Sequence, residues 1–263
     1  MQYKIAIIGG SGVYGLFKKA QKVPMKTPYG KVENLTRAKH KEYDIYFLPR
    51  HGPKHSVPPH LINYRANIYA LHELGVSKIF ATNAVGSIDT SLNPGDFVIP
   101  DQIVDMTKHR PLTFFDGATK INFADGTSRQ GVVHLDYTNP YCPKLRAQYI
   151  RAVEDVGGMV HTKGVHVCTD GPRFETPAEI TMFQKMGGTV VGMTTVPEAI
   201  LARELKMCYS TLCLITNYGA GIQEKISHEE VVELFKEKTD TIKEIMKKIV
   251  SQTELDIKCD CKD

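Results

Sequence analysis

The residues best able to do chemistry in this chain share a position, just behind short apolar, β-branched runs. Ser11 lies in a glycine turn, Arg50 and His51 follow residues 44–48, and Asn83 follows residues 78–82. Asp170 and Arg173 follow 164–169, Thr194 and Thr195 close 189–193, and Asn217 follows 210–216. In an α/β sheet, ligands bind at the carboxyl ends of strands, so such ends gathered along one edge make a single polar site. The residue types favour an anion. A glycine turn offers backbone amides beside the Ser11 hydroxyl. Arg50 adds a rigid fork of donors, and His51 can add another. Gly10-Ser11-Gly12-Val13-Tyr14-Gly15 also fits a dinucleotide fingerprint, but that reading needs a crossover helix. The Lys-rich stretch that follows, with Pro24 and Pro28, leaves little room for one. His51, His55 and His60 cluster without an acid or a cysteine, and Pro58 and Pro59 break any helix carrying them, so no metal is expected.

The elements that must position these groups alternate strand and helix, the pattern of an α/β fold. Further strands are expected at 4–8 and 96–100, and helices at 63–74, 143–156, 177–186, 196–205 and 227–250. Asn63 and the Thr176-Pro177 pair are helix-start signals. Residues 107–138, polar and weakly periodic, read as a long functional excursion from one domain. That domain spans residues 1–251, and residues 252–263 form a polar tail ending in Cys259-Asp260-Cys261.

The 263 residues carry 33 Lys and Arg among 29 acids, net +4 and without a basic run. That balance argues against a nucleic-acid surface and leaves room for a small anionic substrate. No apolar stretch approaches the roughly 18 residues of a membrane span. The N-terminus reads as a buried strand rather than a secretion signal, so the cytoplasm is the expected compartment. Cys142, Cys168, Cys208 and Cys213 lie in or near apolar segments and read as buried thiols. The Cys259/Cys261 pair reads as an unstructured end. The alternatives are a redox-active or tail-fixing disulfide, since two thiols alone cannot complete a zinc site.

Several longer motifs recur, in this order, in one family: residues 9–12, 50–52, 63–68, 82–87, 94–102, 170–179 and 192–202. The chain resembles the trimeric purine nucleoside phosphorylase and methylthioadenosine phosphorylase family over residues 3–250. The resemblance implies a nucleoside phosphorylase-like single α/β domain whose central mixed sheet, partly barrel-like, is flanked by helices. It implies a purine nucleoside and inorganic phosphate as substrates, no cofactor, and a homotrimer or hexamer. Carried over residue by residue, the phosphate site falls on Ser11, Arg50, His51, Asn83, Ala84 and Thr194. The ribose falls on Met193 and the purine on Phe174, Glu175 and Asn217. A neighbouring subunit's residues 134–137, led by His134, would close the 5′ pocket.

The base site reads as one for 6-oxopurines. Ionised Glu175 only accepts hydrogen bonds, and inosine or guanosine offers N1–H where adenosine offers a lone pair. Asn217 can donate to O6 or N7. The methylthioadenosine branch has Ser and Asp at these two positions and a further Asp where this chain has Gly219. A pocket built on hydrogen bonds rejects the wrong pattern by roughly 10⁴-fold. Glu175 read only as a helix N-terminal charge is the structural alternative. His228 corresponds to a histidine that binds the ribose 5′-hydroxyl, while His134 resembles the methylthio branch, which keeps methylthioinosine or methylthioadenosine as alternative substrates. The expected mechanism is charge placement around an oxocarbenium-like ribose, with His51, Glu175 and Asn217 as the catalytic groups.

Overall fold

A computed structural model describes residues 3–9, 20–41, 43–53, 55–252 and 259. The strands are β1 (Tyr3–Gly9), β2 (Gln21–Lys22), β3 (Met25–Thr27), β4 (Gly30–Val32), β5 (Thr36–His40), β6 (Tyr43–Pro49) and β7 (Lys78–Ser87). They continue with β8 (Phe97–Val98), β9 (Gln102–Asp105), β10 (Lys120–Asn122), β11 (Ser128–Gln130), β12 (Val160–His161), β13 (Val165–Cys168), β14 (Val190–Gly192) and β15 (Cys208–Tyr218). The helices are α1 (Tyr64–Glu73), α2 (Pro143–Glu154), α3 (Pro177–Lys185), α4 (Thr195–Glu204), α5 (His228–Glu237) and α6 (Thr239–Gln252).

Strands β15, β7, β1 and β6 run parallel at the centre of one mixed sheet. Along β1, Ala6 and Ile8 face the core that holds α1 and α4, while Ile5 and Ile7 face the core that holds α2 and α6. Such strands, covered on both faces, read as continuous apolar runs, which is why the pattern 4–8 was legible. Antiparallel β8 and β5 flank this centre. The sheet then forks. At its far end β7 turns from β1 to pair antiparallel with β14 through Gly86 and Ser87, and β14 carries β13 and β9 with it.

The fork corrects one expectation. Asn83 lies within β7 rather than behind it, and Asn217 lies within β15. Polar side chains are tolerated there because the diverging strands leave a gap beside them. Other differences have simple causes. The short Lys-rich strands at 21–40 lack a clear alternation, and β10–β11 is a hairpin inside the excursion. The expected helix 227–250 is two helices. Thr239 donates its hydroxyl to the Phe235 carbonyl, a side-chain competition that bends helices. The two halves serve different surfaces: α6 buries Ile242, Ile245, Met246 and Ile249, while no residue of α5 is buried.

Candidate active site

The gap at the fork opens into a cavity of about 1070 Å³. Arg50, His51, Asn83, Ala84, Phe174, Glu175, Met193, Thr194, Asn217 and His228 all line it. Ser11 and its glycine turn lie outside the described residues. His134 is exposed and does not line the cavity. Tyr137, grouped with it by sequence, instead lies under the guanidinium of Arg203 in its own chain, 5.4 Å from the ring centre. Two strand-end groups are structural rather than part of the wall. Arg173 pairs with Glu179 at 2.7 Å, and Asp170 accepts from the Lys108 amide at 3.1 Å.

One corner is built for an anion. Arg50 follows β6 and is clamped there: Nε and Nη2 donate to the two carboxylate oxygens of Glu198 at 2.6 and 2.8 Å, and Nη1 to the Thr82 carbonyl at 2.6 Å. Tyr209 donates to the same carboxylate at 2.7 Å. Burial opposes the charge on Arg50, but Glu198 outweighs it and holds the guanidinium protonated. Arg50 is therefore not a free fork; its remaining N–H bonds reach the cavity in a fixed direction. Thr194 occupies the N-cap position of α4 without capping it through its side chain, and there helix dipole and amides favour an anion. Its hydroxyl donates to Asn83 Oδ1 at 3.2 Å.

His51 departs from the donor role expected of it. Burial, and then Arg50, push its pKa down to about 4, so the ring is neutral near pH 7. Its Nδ1 is 2.9 Å from the Val57 carbonyl, which can only accept, so Nδ1 carries the proton and Nε2 presents a lone pair. His55 stacks on it at 4.3 Å, and His228 follows at 6.1 Å.

Behind this corner lies a group the sequence reading passed over. His166 is fully buried, with Nε2 3.4 Å from Asn83 Nδ2 and Nδ1 3.1 Å from the Thr195 hydroxyl. Burial lowers its pKa to about 4, which keeps the network uncharged. A lone histidine in an apolar strand, and Glu198 as a lone acid in the apolar start of α4, were the available signals. Gly192 is what lets these groups meet, because a Cβ there would stand 2.7 Å from both Asn83 Nδ2 and His166 Nε2. Gly192→Ala is expected to destabilise the fold by about 1–3 kcal/mol, as overpacking does. Urea unfolding measures this, and an unchanged midpoint would refute the close contact.

Glu175 and Asn217 line the same cavity. Glu175 is 9% exposed and accepts from the Thr169 hydroxyl at 2.7 Å. Burial raises its pKa, with the Thr169 bond acting against the shift. It is not the capping acid of α3: Thr176 and Glu179 form that capping box. Asn217 sits at a β-bulge, where β15 has one extra residue, Thr216, against β7. The bulge lets both neighbours face the cavity, a common use of such irregularities. The Thr216 hydroxyl donates to Asn217 Oδ1 at 2.9 Å, and Asn217 Nδ2 donates to the Tyr218 carbonyl at 2.8 Å. One Nδ2 hydrogen remains for a ligand. Between the two ends, Met193 packs against Gly171, where a Cβ would stand 2.5 Å from the thioether sulfur.

An α/β enzyme whose one cavity combines an anion corner with a carboxylate and an amide is what fold and site define. Residues 4–251 match the model of the phosphorylase superfamily, and the chain belongs to it. A protein of Pyrococcus furiosus named 6-oxopurine nucleoside phosphorylase is 49% identical over 99% of this chain and 97% of its own. Another from that organism, named S-methyl-5′-thioadenosine phosphorylase, is 41% identical over 99% and 96%. The solved methylthioadenosine phosphorylase from Schistosoma mansoni in complex with adenine superposes with a TM-score of 0.85. It is 34% identical, over 95% of this chain and 91% of that one.

Proposed function

We propose that this enzyme is a 6-oxopurine nucleoside phosphorylase, cleaving inosine and guanosine with phosphate to the free base and ribose 1-phosphate. The observation that carries the reading is that the buried carboxylate of Glu175 lines one cavity together with Asn217 and Arg50. The relative at 49% identity bears that name. In the proposed complex, Glu175 accepts N1–H and the free Nδ2 hydrogen of Asn217 reaches N7 or O6. Phe174 flanks the base, Met193 backs the ribose, and His228 meets the 5′ group. Arg50, Asn83, the Ala84 backbone, Thr194 and Ser11 hold phosphate beneath C1′. The neutral His51 accepts a hydroxyl hydrogen through Nε2, from monoprotonated phosphate or from the ribose.

The chemistry follows from charge placement. The C1′–N9 bond breaks with its electron pair moving into the purine, where Asn217 stabilises it. The cationic ribose then takes a phosphate oxygen at C1′. No protein atom needs to form a covalent bond, and no cofactor beyond phosphate is invoked. Val231 and Phe235 line the cavity near His228, which favours a 5′-methylthio group as a second substrate form. The enzyme acts in the cytoplasm as a homotrimer or hexamer, the neighbour's exposed His134 segment closing the 5′ side. Among the described residues, no helix is long and apolar enough to cross a membrane.

Initial rates on inosine, guanosine, adenosine and methylthioinosine, with and without phosphate, test the reading across pH. Ionised Glu175 suits inosine, and protonated Glu175 can donate to N1 of adenosine. Because its pKa is raised, the inosine preference is expected to grow as pH rises through that value and to shrink below it. Glu175→Ala should flatten this profile and cost inosine cleavage about 1.5–3 kcal/mol, roughly 10- to 150-fold. Cleavage without phosphate, or adenosine preferred at neutral pH, overturns the assignment.

A further inference from the structure

Three cysteines meet where α2 begins and β15 opens. Cys142 occupies the N-cap position of α2, and its amide donates to the Tyr209 carbonyl at 2.9 Å. Cys208 opens β15, its amide donating to the Ser77 carbonyl at 2.9 Å. Both are 1% exposed and belong to the core that α2 and α6 cover. Cys259, expected in an unstructured tail, packs against that same core, with its Sγ 3.4 Å from that of Cys142. All three Sγ atoms lie within 4.8 Å of one another, and none of these residues lines the nucleoside cavity.

We propose that Cys142, Cys208 and Cys259 form a binding site for a soft, thiolate-preferring divalent cation of the zinc class. Four thiolates set tetrahedrally at about 2.3 Å from zinc are about 3.8 Å apart, so sulfurs between 3.4 and 4.8 Å apart reach that spacing by small shifts. Two ligands come from rigid backbone, a helix N-cap and a strand start, each fixed by a main-chain hydrogen bond. The third comes from the tail. The N-terminus of α2 favours a thiolate on Cys142, and the cation offsets the cost of burying the others. Sequence alone offered too few neighbouring ligands for zinc; the fold brings Cys142 and Cys208 to Cys259. The fourth position falls to water. Because binding requires the folded arrangement, the cation would tie the chain's end to the junction of α2 and β15 and raise the stability of the whole.

The test uses the full chain, reduced, stripped with a chelator and kept free of oxygen. Titration with Co²⁺ is expected to give near-stoichiometric binding with sulfur-to-cobalt charge-transfer absorption. Zn²⁺ should displace the cobalt and raise Tm by several degrees. Cys259→Ser, a near-isosteric change at the edge of the core, should weaken binding at least about tenfold, the loss even an outer partner of a metal site causes. Inosine phosphorolysis by that variant should persist, which verifies its fold, and Cys213→Ser should bind as the parent does. Absence of the thiolate band in the reduced protein overturns the site, as does an unchanged band in Cys259→Ser. Protein purified without oxygen that holds any of the three in a disulfide also overturns it. None of these outcomes bears on the nucleoside reaction.

Discussion

Asn217→Asp is expected to lower kcat for inosine by about 10²–10³-fold, the usual cost of removing a donor aimed at developing charge. The wild-type amide is held with Oδ1 under the Thr216 hydroxyl and one Nδ2 hydrogen on the Tyr218 carbonyl, so the other can serve the purine. An ionised aspartate has nothing to donate to O6 and repels it. It does accept from a 6-amino group, so the preference should move toward adenosine. The move should be incomplete, because a side chain at Gly219 would stand 3.0–3.3 Å from carbons of Ile180. A second aspartate at 219 therefore requires a smaller residue at 180. Steady-state rates on inosine and adenosine at saturating phosphate decide the matter, and an unaltered base preference removes Asn217 from the base site.

Glu198→Ala is expected to cost about 3–5 kcal/mol of stability, because it strands the buried charge of Arg50. Both side chains are only 2% exposed, and the carboxylate takes two guanidinium bonds and the Tyr209 hydroxyl. Denaturant unfolding measures the loss. Removing both charges, as Glu198→Ala with Arg50→Met, should recover much of the stability while leaving the KM for phosphate raised. That pair of variants separates the two duties of Arg50. Should the double variant bind phosphate like the wild type, Arg50 holds the corner together without contacting the anion.

Much of this was legible from the chain itself, for a physical reason. Strands buried on both faces leave apolar runs, and the polar groups behind or within them gather at one edge. What escaped were partners distant in sequence. Nothing near Arg50 announces Glu198, 148 positions away. The pairing of β7 with β14 depends on two segments a hundred residues apart, so the fork, and with it the true place of Asn83, could not be read locally. The role of His51 turned on which nitrogen faces Val57, a matter of tertiary geometry. The cysteines looked inert one by one, and only the fold brings Cys259 to Cys142.

The cavity lies where β7, paired with β1 up to Ala81, goes on to join β14 at Gly86, so it owes its place to backbone ladders rather than to trimmed side chains. The room for a ligand is thus a property of strand connectivity, inherited whole with the fold. Residues on its walls can be exchanged without rebuilding the hydrophobic layers behind them. Two proteins of one organism, named for different nucleosides, can then both resemble this chain over almost their entire length.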